Sequence, residues 1–158
     1  MSQQSCPLCL GNAHSDEPSA EQSVLFSHER WRVVDAQEPA FPCFTRVIWR
    51  DHVSEMTDLT PQWQQELMMV VFEVESVMRQ VLSPNKINLA SLGNQVPHLH
   101  WHIIARWHDD SAFPQSIWTP PSQTSAAAKL SMDRRELIKS RLPEYHQTLI
   151  NRLQLIFP

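Results

Sequence analysis

The chain carries no excess of basic residues. Thirteen lysines and arginines stand against seventeen acidic residues, for a net charge of −4 over 158 residues. That balance argues against the basic surface of a nucleic-acid binder, so any phosphate site has to be built locally from a few side chains. No apolar run approaches the ~18–20 residues that a membrane span requires. The opening MSQQSCPLCL lacks the layout of a secretory leader, so the expectation is a cytoplasmic protein that does not engage membranes. Three cysteines, an odd number, argue against a disulfide framework. No internal repeat is visible. At 42% hydrophobic and 19% charged, the chain suits one globular domain, 1–158, with a single sizeable core.

What is present is concentrated in residues 93–106, GNQVPHLHWHIIAR. His98, His100 and His102 recur at every second position, with Leu99, Trp101 and Ile103 between and after them. Aromatic and branched residues bounded by a Gly-Asn turn and a proline read as a β-strand. Alternation then puts the three imidazoles on one face, about 6.6 Å apart per two-residue step, and Leu99, Trp101 and Ile103 in the core. Such a row serves three ends: a solvated strand face, a metal centre, or covalent catalysis in which one imidazole is the nucleophile. An exposed strand face more often carries Thr, Lys, Glu or Arg. Spacing alone does not separate the other two.

The remaining segments supply a frame. Residues 10–23 are polar and turn-rich, and 24–26 and 31–35 read as strands around a turn at 27–30. His14, His28, His108 and His146 read most simply as surface residues. Residues 43–49, β-branched and aromatic, form another strand. Arg46 on that strand is a candidate for phosphate oxygens, with a solvated or ion-paired arginine as the alternative.

The clearest helix is 60–82, with Thr60 as N-cap and Pro61 at the first helical position. Trp63, Leu67, Val70, Val74, Val77 and Val81 make one apolar stripe. Residues 86–92 form a strand leading through a tight Gly93-Asn94 turn into the histidine strand, which brings Asn88 and Asn94 close to the histidine face. Beyond Arg106 comes an irregular excursion containing Pro114, Pro120 and Pro121. Residues 132–155 return to helix through Leu137, Ile138, Leu142, Tyr145, Leu149 and Leu153, with Pro143 expected to kink or split it. Cys6-Pro7-Leu8-Cys9 has the spacing of a metal grip, a redox pair, or two reduced thiols.

The run from His98 to Ile104 resembles the signature of the histidine triad (HIT) superfamily, His-φ-His-φ-His-φ-φ with φ apolar. Gly93-Asn94-Gln95-Val96-Pro97 sits where that family's phosphate-contacting loop lies. Arg106 stands where the strand often ends in Pro-Arg, and Phe113-Pro114 and Trp118 look like the family's downstream tail. The similarity runs over residues 6–118, with a helical extension over 130–156. It implies an α+β fold of about five antiparallel strands with a long helix on one face and a C-terminal helix. It also implies a homodimer acting on a nucleotide, adenine nucleotides foremost.

The implied chemistry is attack on the α-phosphate with His100 as nucleophile and a nucleotidyl-histidine intermediate. His102 would touch phosphoryl oxygens or the leaving group, while His98 orients its neighbour. Asn88, Gly93, Asn94, Gln95 and Arg46 are the candidate substrate contacts. The zinc-bearing branch of the superfamily further implies a structural zinc on Cys6, Cys9, His52 and His98, with no metal required at the reacting phosphate.

Two departures bear on substrate. Cys43-Phe44 stands where many members carry a histidine after a glycine, and the segment between Asn88 and Gly93 looks shorter than in the common phosphoramidase pattern. The preferred reading is a diadenosine tetraphosphate hydrolase-like enzyme, with phosphoramidate- or aminoacyl-linked nucleotides and nucleotidyl transfer as near variants. The alternatives are a catalytically weak nucleotide-binding or regulatory module, and a metalloenzyme using all three histidines.

Overall fold

The computed structural model describes residues 5–9, 23–119 and 132–158. The loop expected over 10–23 therefore lies outside the described residues apart from Ser23, as do His14, Pro120 and Pro121. The strands are β1 (Ser23–Ser27), β2 (Trp31–Asp35), β3 (Thr45–Trp49), β4 (Lys86–Ala90) and β5 (His100–Arg106); the helices are α1 (Pro61–Leu82) and α2 (Met132–Ile156). The sheet runs β1-β2-β3-β5-β4, with every pairing antiparallel. This is the expected α+β architecture.

Alternation along the strands divides the sheet into two faces. Trp31, Val33, Val47, Trp49, Leu99 and Ile103 share one core with Leu67, Val70, Val74 and Val77 of α1. In β2 to β5 the opposite face carries the even-numbered positions, whereas a bulge between Val24 and Phe26 turns Phe26 of β1 to the core side. Arg32 lies opposite Ile48, Arg46 opposite His102, and Ile48 opposite His100.

Helix α1 begins where the sequence predicts, with the Thr60 side chain accepting from the Trp63 amide and Pro61 at the first position. It ends at Ser83 in a left-handed conformation (φ 48°). Helix α2 packs against α1 and β1, burying Ile138, Tyr145, Leu149 and Leu153. Leu137 stays exposed. Pro143 does not split α2, because one proline removes a single backbone donor while the apolar face continues past it. No helix among the described residues is long and apolar enough to cross a membrane.

Four local expectations are corrected. The 43–49 strand starts only at Thr45, because Cys43 has φ +69°. No tight turn joins β4 to β5: residues 91–99 intervene, with Gly93 at φ +66° and the Ser91 hydroxyl donating to the His100 carbonyl at 2.9 Å. His28 is not a free surface residue, since its ring stacks on Trp31 at 4.7 Å. His146 likewise lies 3.2 Å from Asp35.

The far end of the histidine face is closed by a buried ion pair. Arg106 donates to Asp110 at 2.7 and 3.0 Å, to the Asn88 side-chain oxygen at 2.7 Å and to the Gln115 carbonyl at 2.9 Å. Asp110 also accepts from the amides of Trp107, Ala112 and Phe113. Burial alone would raise this carboxyl. The Arg106 hydrogen bond, the two amides of Ala112 and Phe113 and the Arg106 charge outweigh it and hold the group below the usual carboxylate range. The pair thus fixes the segment that carries Trp118 back toward the histidines.

Removing one partner strands the other as an unpaired buried charge. Asp110→Ala is expected to lose ~3–5 kcal/mol in urea denaturation, whereas the double change Arg106→Met, Asp110→Leu should lose clearly less. Equal losses would contradict a paired-charge origin.

Candidate active site and metal cluster

The structure separates the three histidines into two groups. His100 and His102 lie on β5 with ring centroids 4.6 Å apart. His98 falls in a bend before the strand, and its ring turns to the cysteine pair. The single row of three imidazoles is therefore a row of two plus an anchor. Pro97, which lacks an amide proton, and the approach of the Leu99 amide to the Val53 carbonyl (2.7 Å) pull the chain off the regular ladder.

His98 is fully buried and bonded at both ring nitrogens. Its Nε2 donates to the Trp49 carbonyl at 2.6 Å, which leaves the lone pair on Nδ1. That atom lies 3.5 Å from Cys6 Sγ and 3.3 Å from Cys9 Sγ. His52 Nδ1 is 3.3 Å from Cys9 Sγ, and all four donor atoms fall within 4.8 Å of one another.

Two thiolates and two imidazoles tetrahedrally arranged around zinc put neighbouring S and N donors about 3.5 Å apart. The observed separations fit that set, so the cluster can hold a metal ion. Burial, with the hydrogen bond and charge of Cys6, pushes the Cys9 thiol up to about 11, a resistance to ionisation that a coordinated cation reverses.

His100 donates from Nδ1 to the His98 carbonyl at 2.6 Å. This fixes the tautomer and leaves the Nε2 lone pair available. Burial lowers the proton affinity of His98 and His100 below the ordinary imidazole value, against the raising effect of their carbonyl bonds. His102 is pushed down to about 3 by burial and by the charges of His100 and Arg46. Its Nδ1 is buried without a hydrogen-bond partner, on a side chain only 6% exposed. All three rings are neutral near pH 7.

His100 and His102 line an open pocket of about 340 Å³ with Arg46, Gly93, Asn94 and Gln95, walled by Leu8, Leu92, Val96 and Trp118. Among the described residues no carboxylate lines it. Six predicted positions thus meet in one place: Arg46, Gly93, Asn94, Gln95, His100 and His102.

Asn88 does not line the pocket. It shares the histidine face, opposite Ile104, but its oxygen is committed to Arg106. Residues given no site role from sequence also contribute. Leu8 lies between the cysteines, Trp118 sits edge-on to His102 at 5.1 Å, and Phe44 lies 5.4 Å from His102 with the Arg46 guanidinium 5.0 Å over its ring. The +69° φ at Cys43 explains Phe44: a conformation suited to glycine turns the next side chain toward the histidines.

The HIT domain family model matches residues 17–109, more than half of the chain, and the protein belongs to the HIT family. A histidine triad protein from Marinobacter aquaeolei superposes with TM-score 0.62 at 25% identity, over 82% of this chain and 92% of that one. One from Bradyrhizobium japonicum gives TM-score 0.59 at 25% identity, over 77% and 91%. A Zn-bound histidine triad family protein from Mycobacterium smegmatis shares the fold, with TM-score 0.59 at 18% identity over 98% and 99%. No curated protein sequence matches the chain. Membership supports a nucleotide-binding or hydrolase-type function.

The environment of His102 sets a pH dependence. The unfolded chain takes up a proton near 6.5 that folded His102 refuses until about 3. The unfolded state therefore binds more protons in that window, and stability falls as pH drops through it, by at most ~1.4 kcal/mol per pH unit. His102→Gln should show a shallower loss of stability than wild type between neutral pH and pH ~4. Parallel curves would contradict the assignment.

Proposed function

We propose that the protein hydrolyses dinucleoside polyphosphates, diadenosine tetraphosphate being the model substrate, through a nucleotidyl-histidine intermediate on His100. The observation that carries this reading is the 2.6 Å bond from His100 Nδ1 to the His98 carbonyl. It presents a neutral imidazole with a free Nε2 in a pocket that also holds a guanidinium and a turn of backbone and amide donors.

In the first step Nε2 attacks the α-phosphorus, the Nε2–P bond forms, and the bridging P–O bond breaks. His102 hydrogen-bonds the departing oxygen and stabilises its charge, and the polyphosphate leaves as an anion. Arg46, Asn94 and Gln95 donate to the equatorial oxygens, whose charge grows in the transition state. In the second step water attacks phosphorus, its proton passes to solvent, and the Nε2–P bond breaks to return neutral His100 and release the nucleoside monophosphate. Asn88 acts on this site from behind, by holding Arg106.

The cluster of Cys6, Cys9, His52 and His98 is read as a structural zinc site. Bound zinc would cross-link residues 6–9 to the segment that follows β3 and to the bend that precedes β5, and supply no chemistry to the phosphoryl group. The reading rests on the donor set and its separations, and assembly as an adenine-nucleotide-binding homodimer is part of the same proposal.

His100→Ala is expected to lose release of AMP from diadenosine tetraphosphate by at least ~10³-fold, with adenylate still bound. Equal rates in wild type and variant would remove His100 as nucleophile. AMP release by neither protein, with adenylate bound by both, would favour the binding-module alternative. Chelation should lower the thermal midpoint while leaving the rate per folded molecule near its starting value. A rate lost to chelator and restored by metal, with no change in melting, would favour a catalytic metal instead.

A further inference from the structure

Trp118 lies at the end of the pocket beyond His102. The rings run in order, with His100 to His102 at 4.6 Å and His102 to Trp118 at 5.1 Å, the latter edge-on at 68°. Trp118 remains 45% exposed although it lines the pocket. An indole so placed is poorly explained by core packing, since none of the buried clusters contains it. It is held there by design of the chain around it: the Arg106–Asp110 pair fixes the segment before it, and the Trp118 amide donates to the Ser116 hydroxyl at 3.3 Å.

In an in-line displacement the departing oxygen lies on the far side of phosphorus from the attacking nitrogen. His102, whose ring lines the pocket 4.6 Å from that of His100, is the group placed to meet it. What lies past His102 is therefore what the departing oxygen carries. There the protein offers an aromatic surface, in a pocket that Arg46 also lines. Aromatic side chains bind nucleobases by stacking, with little regard for the identity of the base.

We propose that Trp118 is the stacking platform for the base of the leaving nucleotide, so that the preferred leaving group is a nucleoside polyphosphate and not inorganic polyphosphate or an amine. This inference rests on His100 being the nucleophile.

The test compares diadenosine tetraphosphate with adenosine 5′-tetraphosphate, which keeps the phosphate chain and lacks the second base. Wild type, Trp118→Ala and Trp118→Phe are assayed for AMP release. A methylene-bridged, non-hydrolysable dinucleoside polyphosphate and its mononucleotide counterpart are titrated calorimetrically. Wild type should favour the dinucleoside by about tenfold in kcat/KM. Trp118→Ala should collapse that ratio toward one, mainly through KM, and Trp118→Phe should restore most of it.

Equal losses on both substrates, or a loss confined to kcat with analogue binding intact, would mean that Trp118 only props His102 and would overturn the proposal. If no protein releases AMP, the hydrolase reading fails separately, and the calorimetry still decides. Tighter binding of the dinucleoside analogue by wild type, lost in Trp118→Ala, supports stacking, and equal binding of both analogues by wild type refutes it.

Discussion

The hydrogen bond from His100 Nδ1 to the His98 carbonyl is the contact on which the rest of the site depends. It needs no carboxylate, because a backbone carbonyl is enough to select one tautomer and point the other nitrogen at a substrate. It does need His98 to be immobile. That is achieved by engaging the His98 ring at both nitrogens, with the Trp49 carbonyl on one side and the two thiols on the other. The antiparallel pairing of β3 with β5 then sets Arg46 opposite His102. The positions of His100, His102 and Arg46 relative to one another thus follow from one strand register.

Neutrality is the second theme. Burial keeps all three imidazoles uncharged, which is what a nitrogen with a free lone pair requires. On the proposed reading, the positive charge that a polyphosphate needs would come from Arg46, on strand β3, and from amide donors in the 93–96 connection. Phe44 contributes indirectly. Its ring lies against His102 and beneath the Arg46 guanidinium, so the departure noted from sequence at Cys43-Phe44 places a buried aromatic ring behind two residues of the pocket.

Much of this was legible in the sequence because it is local. Helix α1 carries its own cap, its own proline and an apolar stripe, and it forms between the residues those signals name. The strand alternation around Trp101 and Ile103 fixed which face is core. The His-x-His spacing together with its flanks pointed to the pocket, and Cys6, Cys9, His52 and His98 converge although the cysteines lie some ninety positions from His98. The failures came from tertiary constraints that leave no periodic trace. His98 was assigned to the strand because the alternation includes it, yet its pull toward the thiols and Trp49 outweighs one more rung of ladder. Asn88 was placed on the correct face, but its capture by Arg106 follows from a buried charge that had to be neutralised. The Arg106–Asp110 pair is only four residues apart, and nothing in the sequence distinguishes it from a surface pair. Trp118 could have been suspected as a large aromatic isolated in an irregular, polar segment.

The central claim is a double displacement through His100, and the stereochemical course at phosphorus tests it most directly. A dinucleoside polyphosphate made chiral at the α-phosphorus by sulfur substitution would be hydrolysed in isotopically labelled water, and the configuration of the released nucleoside phosphorothioate determined. Two successive in-line displacements predict net retention. Net inversion would mean that water attacks phosphorus directly, and His100 would then be a binding or proton-handling residue and not the nucleophile.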